Sequence, residues 1–295
     1  MLEHLNAKPQ NPNRAVILGA GGFVGTMVKN AFEAAGTPVR ALGRPEVDLL
    51  SDDAAETLSG ELHDTDCLIV ISAEAPCKDA AMLARNIQMM CAIVDALANI
   101  QPAHLIYVSS DAVYADSSAP LTETSYAEPG SLHGVMHLAR ELMLKEAMKG
   151  PLAILRPTLI YGAADPHNGY GPNRFRRLAQ AGEDIVLFGE GEERRDHVDV
   201  HDVADLIRRI AVHKSQGVLN AATGTVTSFR EVADMVVSLS INDVAVNGSP
   251  RRGAMPHNGY RPFDPAATAA AFPDFRYTAL ADGLARAEKQ TRGVA

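Results

Sequence analysis

Three glycines in seven residues, Gly19-x-x-Gly22-x-x-Gly25, follow the apolar run Ala15-Val16-Ile17-Leu18 and open a helix-like segment reaching Ala35. Glycines at this spacing permit a tight turn and close backbone approach, and the free N–H groups at the helix start face an anion. A strand before and a helix after give the loop the context of a dinucleotide pyrophosphate site. The next apolar run, Val39–Leu42, leads into Gly43-Arg44. A carboxylate there would accept from a ribose hydroxyl, whereas an arginine meets a 2′-phosphate, so the cofactor expected is NADP, with NAD as the alternative. Asp48 either accepts from an adenine amino group or starts a helical turn. His133 and His137 lie four apart on a predicted helix and share one face. Such a pair can exchange protons near neutrality, form half of a metal site, or simply pack; no metal is expected. His197 and His201 have the same spacing, but they fall where a strand gives way to a helix, and His201 is expected to cap or pack. Pro166-His167-Asn168-Gly169-Tyr170 recurs as Pro256-His257-Asn258-Gly259-Tyr260. These are either two Asn-Gly turns or two loops presenting His167 and His257 to one polar ligand.

Elements that could position these residues alternate along the chain. Further short apolar runs, ended by turn residues, read as strands at Cys67–Ser72, His104–Ser109 and Leu152–Leu155, with another at Gly217–Asn220. Helical stretches lie between them, notably Asp79–Asn99 and Leu132–Lys149. Strand–helix alternation predicts an α/β fold, a Rossmann-type doubly wound parallel sheet. Residues 1–13 read as a flexible tail. After Gly162 the chain turns rich in Gly, Pro, Asn and Arg. The expected division is a dinucleotide-binding domain over 14–162 and about 196–222, with a smaller discontinuous substrate-binding region over about 163–195 and 223–295. Ser228 and Glu231 have capping-box spacing.

Composition narrows the class. The 295 residues are 46% hydrophobic and 21% charged, enough for a large core, with a net charge of −9. That acidity, without a basic block, argues against a nucleic-acid partner. Three cysteines without C-x-x-C spacing point to a reducing compartment and no disulfide framework. With no apolar leader visible and the continuous apolar runs too short to cross a bilayer, a cytoplasmic location and no membrane contact are expected.

In order along the chain, GAGGFVG (19–25), Asn86 on a helix, LIYVSSDAVYAD (105–116), LRPTLIYG (155–162), FGEGEERRDHVDVHDVAD (188–205) and PRRG (250–253) match a known pattern. Together they resemble the extended short-chain dehydrogenase/reductases, the NAD(P)-dependent nucleotide-sugar epimerases, dehydratases and reductases. The resemblance spans nearly the whole chain from Arg14. It implies cofactor contacts from Phe23, Val24, Ala73 and Asn86 besides the glycine loop. It implies a catalytic Ser110 and substrate contacts from Asp111, Asn173, Arg195 and Arg252, the two arginines forking onto a diphosphate. The family's Tyr and Lys of Y-x-x-x-K are replaced: Pro129, Gly134 and Glu141 fix the register that puts His133 and His137 in their places.

By this resemblance His133 exchanges a proton with a sugar oxygen held by Ser110, and His137 bonds the nicotinamide ribose. Activity would then follow a group titrating between pH 6 and 7.5. Ala112 stands where dehydratases of the family carry Glu, which argues against dehydration, and Ser-Asp-x-Val-Tyr is similar to the stretch found in deoxysugar 4-keto reductases. The implied function is a keto-sugar reductase or epimerase acting on a nucleotide-activated sugar as a homodimer, pairing through helices 79–99 and 132–149. The alternatives are a catalytically altered NADP-binding sensor or scaffold, and non-redox acid/base chemistry on a bound sugar nucleotide.

Overall fold

The short apolar runs do assemble into one sheet in the computed structural model, which describes residues 2–293. In chain order the elements are β1 (Glu3–His4), β2 (Ala15–Leu18), α1 (Phe23–Ala34), β3 (Val39–Leu42), α2 (Ala54–Glu61), β4 (Cys67–Val70), α3 (Ala80–Asn99), β5 (His104–Val108), α4 (Leu132–Ala147), β6 (Leu152–Pro157), β7 (Leu159–Tyr161), α5 (Pro172–Ala181), β8 (Ile185–Phe188), β9 (Arg194–Asp199), α6 (Val200–Val212), β10 (Ser215–Ala221), β11 (Val226–Ser228), α7 (Phe229–Leu239), β12 (Val246–Ser249), β13 (Tyr260–Arg261), α8 (Ala266–Ala271) and α9 (Leu280–Thr291). Seven strands form the central sheet in the order β1-β10-β6-β5-β4-β2-β3. All pair in parallel except β1, which runs antiparallel to β10.

Both faces are covered, as continuous apolar strands require. Side chains alternate along β5, so Leu105 and Tyr107 join the core beneath α2, α3 and α4, while Ile106 and Val108 join the core beneath α1 and α6. β2 lies between β3 and β4, where the winding reverses, and a crevice opens beyond the carboxyl ends of such strands. α3 has the length and hydropathy of a bilayer-crossing segment, although Arg85, Asn86, Gln88 and Asp95 break its apolar runs. Its Met90, Ile93, Ala96 and Leu97 are buried in the core, as in a helix packed on a sheet.

Two expectations are corrected. Residues 1–13 are more than a tail: β1 pairs with β10, His4 bonds Ser215 and the Ala271 carbonyl, and Asn6 and Gln10 donate to the carbonyls of His213 and Val212. Two paired residues leave no periodicity to read. β7, which lies before Gly162, belongs to a second sheet, where β9 pairs with β7, β11 and β13. This smaller sheet, the β8–β12 pair, and α5, α7 and α9 enclose their own core of Tyr161, Phe175, Leu187, Phe229, Val232 and Leu284.

Candidate active site

The glycine loop joins β2 to α1 at the winding reversal. A Cβ at Gly25 would overlap the Gly19 carbonyl oxygen, so only glycine lets α1 start this close to the loop. The helix N-cap is Gly22, which makes no side-chain cap bond, and no acidic residue occupies the first turn. The N–H groups there are left to a ligand with negative charge. Gly19, Gly22, Phe23 and Val24 line a cavity of about 680 Å³; Gly25 sits behind the loop and serves its packing. Arg44 lines the same cavity at the end of β3, with no carboxylate partner among the described residues. Asp48 lines it too, and its carboxylate also accepts the Leu50 N–H, the turn-starting role. Ala73 reaches the cavity. Asn86 does not: it is fully buried and its amide is spent on the Glu74 N–H and on the carbonyls of Glu74 and Met82. It fixes the loop after β4 that forms the wall, so its expected cofactor contact is replaced by a supporting one.

At the centre of the cavity β5 and α4 meet. Ser131 caps α4 by accepting from the Gly134 N–H, and a Cβ at Gly134 would overlap the Ala112 carbonyl oxygen. The start of α4 thereby lies against the turn after Ser110, which brings Ser110, His133 and His137 to one wall. The His133 and His137 rings are 4.7 Å apart, edge to face. His133 Nδ1 accepts the Cys77 N–H at 3.4 Å, and His137 Nδ1 lies 2.8 Å from the Tyr107 hydroxyl. Burial, partly offset by Asp111, lowers the His133 pKa from its ordinary value. Burial, with smaller contributions from His133 and Arg140, pushes His137 well below it. Both imidazoles are therefore neutral at pH 7, and the window expected between pH 6 and 7.5 moves to more acidic values. The Ser110 hydroxyl donates to Asp111 at 3.3 Å and accepts the Ala112 N–H.

Buried ion pairs hold this wall. Arg261, 1% exposed, donates to the Asp111 carboxylate at 3.0 Å and its carbonyl at 2.6 Å, so Asp111 borders the cavity with its charge already matched. Ser109 donates to Glu141 at 2.6 Å, and the Arg156 guanidinium grips the same carboxylate while stacking over Tyr114. This network ties β5, α4 and β6 together at the site.

Farther along the cavity stand Arg195, Asn173, His167 and Tyr170. Arg195 donates to Glu193 at 3.2 Å. The Asn173 amide is occupied by the Gly162 N–H and the Ile160 carbonyl, so it shapes the wall. Two expectations fail here. Arg252 is exposed and does not line the cavity. His257 is held by Asp116 and does not line it either, so the two PHNGY copies do not converge on one ligand. Asn168, His257 and Asn258 do adopt positive φ, the turn reading of the repeat. His201 bonds Asp199, the N-cap of α6.

His197, noted in the sequence only for its spacing from His201, belongs to the site. It is 3% exposed, borders the cavity two residues beyond Arg195 on β9, and neither ring nitrogen has a partner among the described residues. Alternation along β9 puts it on the same strand face as Arg195, which was the available signal.

Fold and site define a doubly wound dinucleotide-binding protein with a smaller region closing over the sheet's carboxyl edge. The chain belongs to the NAD dependent epimerase/dehydratase family, whose model matches residues 15–222. Among solved structures it is similar to a UDP-glucose 4-epimerase of Thermus thermophilus in complex with NAD, at TM-score 0.81 and 21% identity over 96% of this chain and 100% of that one. It is similar to the UDP-glucose 4-epimerase of Thermotoga maritima with UDP-glucose, at TM-score 0.80 and 20% identity over 95% and 99% of the two chains. A GDP-L-fucose synthetase of Naegleria fowleri bound to NADP matches at TM-score 0.80 and 16% identity over 99% and 95%. The residues present fit a nicotinamide dinucleotide: the glycine cradle and the uncapped α1 N-terminus suit its pyrophosphate, and Arg44 lines the same cavity.

Proposed function

We propose that this protein binds NADP, in preference to NAD, and performs redox chemistry at a carbon of a nucleotide-activated sugar, as a reductase or epimerase. The carrying observation is the single cavity that runs from the glycine loop, past Ser110, His133 and His137, to Arg195. The α1 N-terminus and Arg44 hold the dinucleotide, which when bound supplies or accepts a hydride. Ser110 and His133 meet the oxygen of the reacting carbon, and His137 meets the nicotinamide ribose. Arg195, whose side chain is 12% exposed, holds the substrate diphosphate. Val135 and Leu142, exposed on α4, support pairing of two copies through α3 and α4.

The test is calorimetry with NADPH, NADH, UDP, GDP and dTDP. The expected result is tighter binding of NADPH than NADH, and of one nucleoside diphosphate, the latter weakened about tenfold or more in Arg195→Ala. Unchanged diphosphate affinity in that variant removes Arg195 from the site, and no dinucleotide binding removes the function.

A further inference from the structure

The proton positions on the two imidazoles follow from their partners. Tyr107 is 1% exposed, and the only hydrogen bond of its hydroxyl among the described residues is to His137 Nδ1 at 2.8 Å. If Nδ1 carried the proton, the phenol proton would be buried with no acceptor, a costly arrangement. Tyr107 therefore donates, Nδ1 accepts, and the ring proton sits on Nε2. That Nε2 has no partner among the described residues and is not sealed from the cavity that His137 lines. The same reasoning holds for His133, since the Cys77 amide can only donate to Nδ1. Arg140, fully buried and with no carboxylate partner among the described residues, lies 5.4 Å from the Tyr107 ring centre and opposes a second proton on His137.

Resting on the functional reading above, we propose that Tyr107 is a positioning residue that fixes His137 as the Nε2–H tautomer. His133 and His137 then each present an Nε2–H donor, His133 to the oxygen of the reacting carbon and His137 to the nicotinamide ribose, and the substrate is a carbonyl compound, a keto-sugar nucleotide that the site reduces. A carbonyl oxygen accepts the His133 N–H, and a neutral imidazole N–H polarises it as its negative charge develops. An alcohol brings a proton that needs an acceptor, and Asp111, the carboxylate acting on His133, is matched by Arg261 and by the Ser110 hydroxyl. In the reduction the carbonyl carbon gains the hydride supplied by the reduced dinucleotide, which is thereby oxidised. The C=O π pair moves to oxygen, the neutral His133 Nε2–H holds the developing oxyanion by a hydrogen bond, and the oxygen takes its proton from solvent.

The first arm of the test uses the ligand-free protein labelled with 15N-histidine, by long-range 1H–15N correlation at neutral pH. The two rings are assigned by their loss in His133→Asn and His137→Asn. Both are expected to show Nε2–H with unprotonated Nδ1, and Tyr107→Phe is expected to mix the tautomers of His137 alone. A proton on Nδ1 of His137 in the wild type overturns the proposal whether or not the variant folds, as does a His137 pattern unmoved by Tyr107→Phe.

The second arm mixes the enzyme with deuterated NADPH and keto-sugar nucleotides, or with NADP and the matching alcohols, in single turnovers. Deuterium is expected on the product carbon, with alcohol oxidation slower by about a hundredfold and kcat lowered about tenfold in Tyr107→Phe at little change in KM. Oxidation as fast as reduction overturns the carbonyl assignment. Failure to bind any sugar nucleotide overturns the functional reading, and the carbonyl assignment with it, while the tautomer result stands on its own.

Discussion

Replacing His197 with leucine should stabilise the ligand-free protein, and more so in acid. At pH 7 the neutral ring buries one donor and one acceptor with no hydrogen-bond partner among the described residues, beside the Phe229 ring at 5.8 Å. An unpaired buried polar group costs about 1–3 kcal/mol, and leucine removes both at similar volume. We expect a gain of about 1–2 kcal/mol at pH 7 on that basis. Burial, and then the Arg195 charge, push the folded-state pKa down to about 3, against the ordinary value of 6.5, with the Arg195 backbone only weakly opposing. The unfolded ring therefore binds the proton that the folded ring refuses, and stability is lost as pH falls below 6.5. Between pH 7 and 5 that loss is about 2 kcal/mol for this one group. His104, pushed down to about 4 by burial, acts in the same direction but equally in both proteins. The advantage of His197→Leu should thus grow to about 3–4 kcal/mol at pH 5. Urea unfolding followed by far-UV circular dichroism measures it, since the chain has no tryptophan. A variant no more stable than wild type, or an advantage that does not widen between pH 7 and 5, would refute the reasoning.

Other substitutions probe the framework and the cofactor wall. Glu141→Ala leaves the buried Arg156 guanidinium unmatched and should cost about 3–5 kcal/mol in chemical unfolding. A loss below about 1 kcal/mol would contradict the role of that network. Gly134→Ala must push α4 away from the Ala112 carbonyl, at a cost of about 1–3 kcal/mol, and should lower turnover more than NADPH affinity. Equal stability and turnover would show that the close approach is dispensable. Arg44→Ala should weaken NADPH about tenfold and NADH little, by calorimetry, and a parallel loss for both would remove the 2′-phosphate contact.

Much of the frame could be read from residue order. The run at Ala15–Leu18, bounded by turn residues, is a strand because both faces of a parallel sheet are buried there and no alternation is needed, while Val39–Leu42 forms the half-buried edge beside it. The glycine loop was legible because its spacing, the strand before it and the helix after it agree. The Ser228 capping box was legible because both partners lie within one turn. What was not legible depends on long-range pairing. Whether Arg252 or Arg261 reaches the site turns on β13, two residues that pair with β9 and bury Arg261 against Asp111. The destination of Asn86 depends on which loop lies over α3. The proton state of His133 and His137 depends on the Cys77 amide, Tyr107 and Arg140, and only Arg140 shares their helix.

A crystal structure with NADP and the cognate nucleoside diphosphate bound would bear most directly on the account. It predicts the pyrophosphate at the N-terminus of α1, the 2′-phosphate at Arg44, the second diphosphate at Arg195, and the Nε2 atoms of His133 and His137 facing the nicotinamide. An occupied nicotinamide pocket with those imidazoles turned away, and no space between them for a sugar, would contradict it.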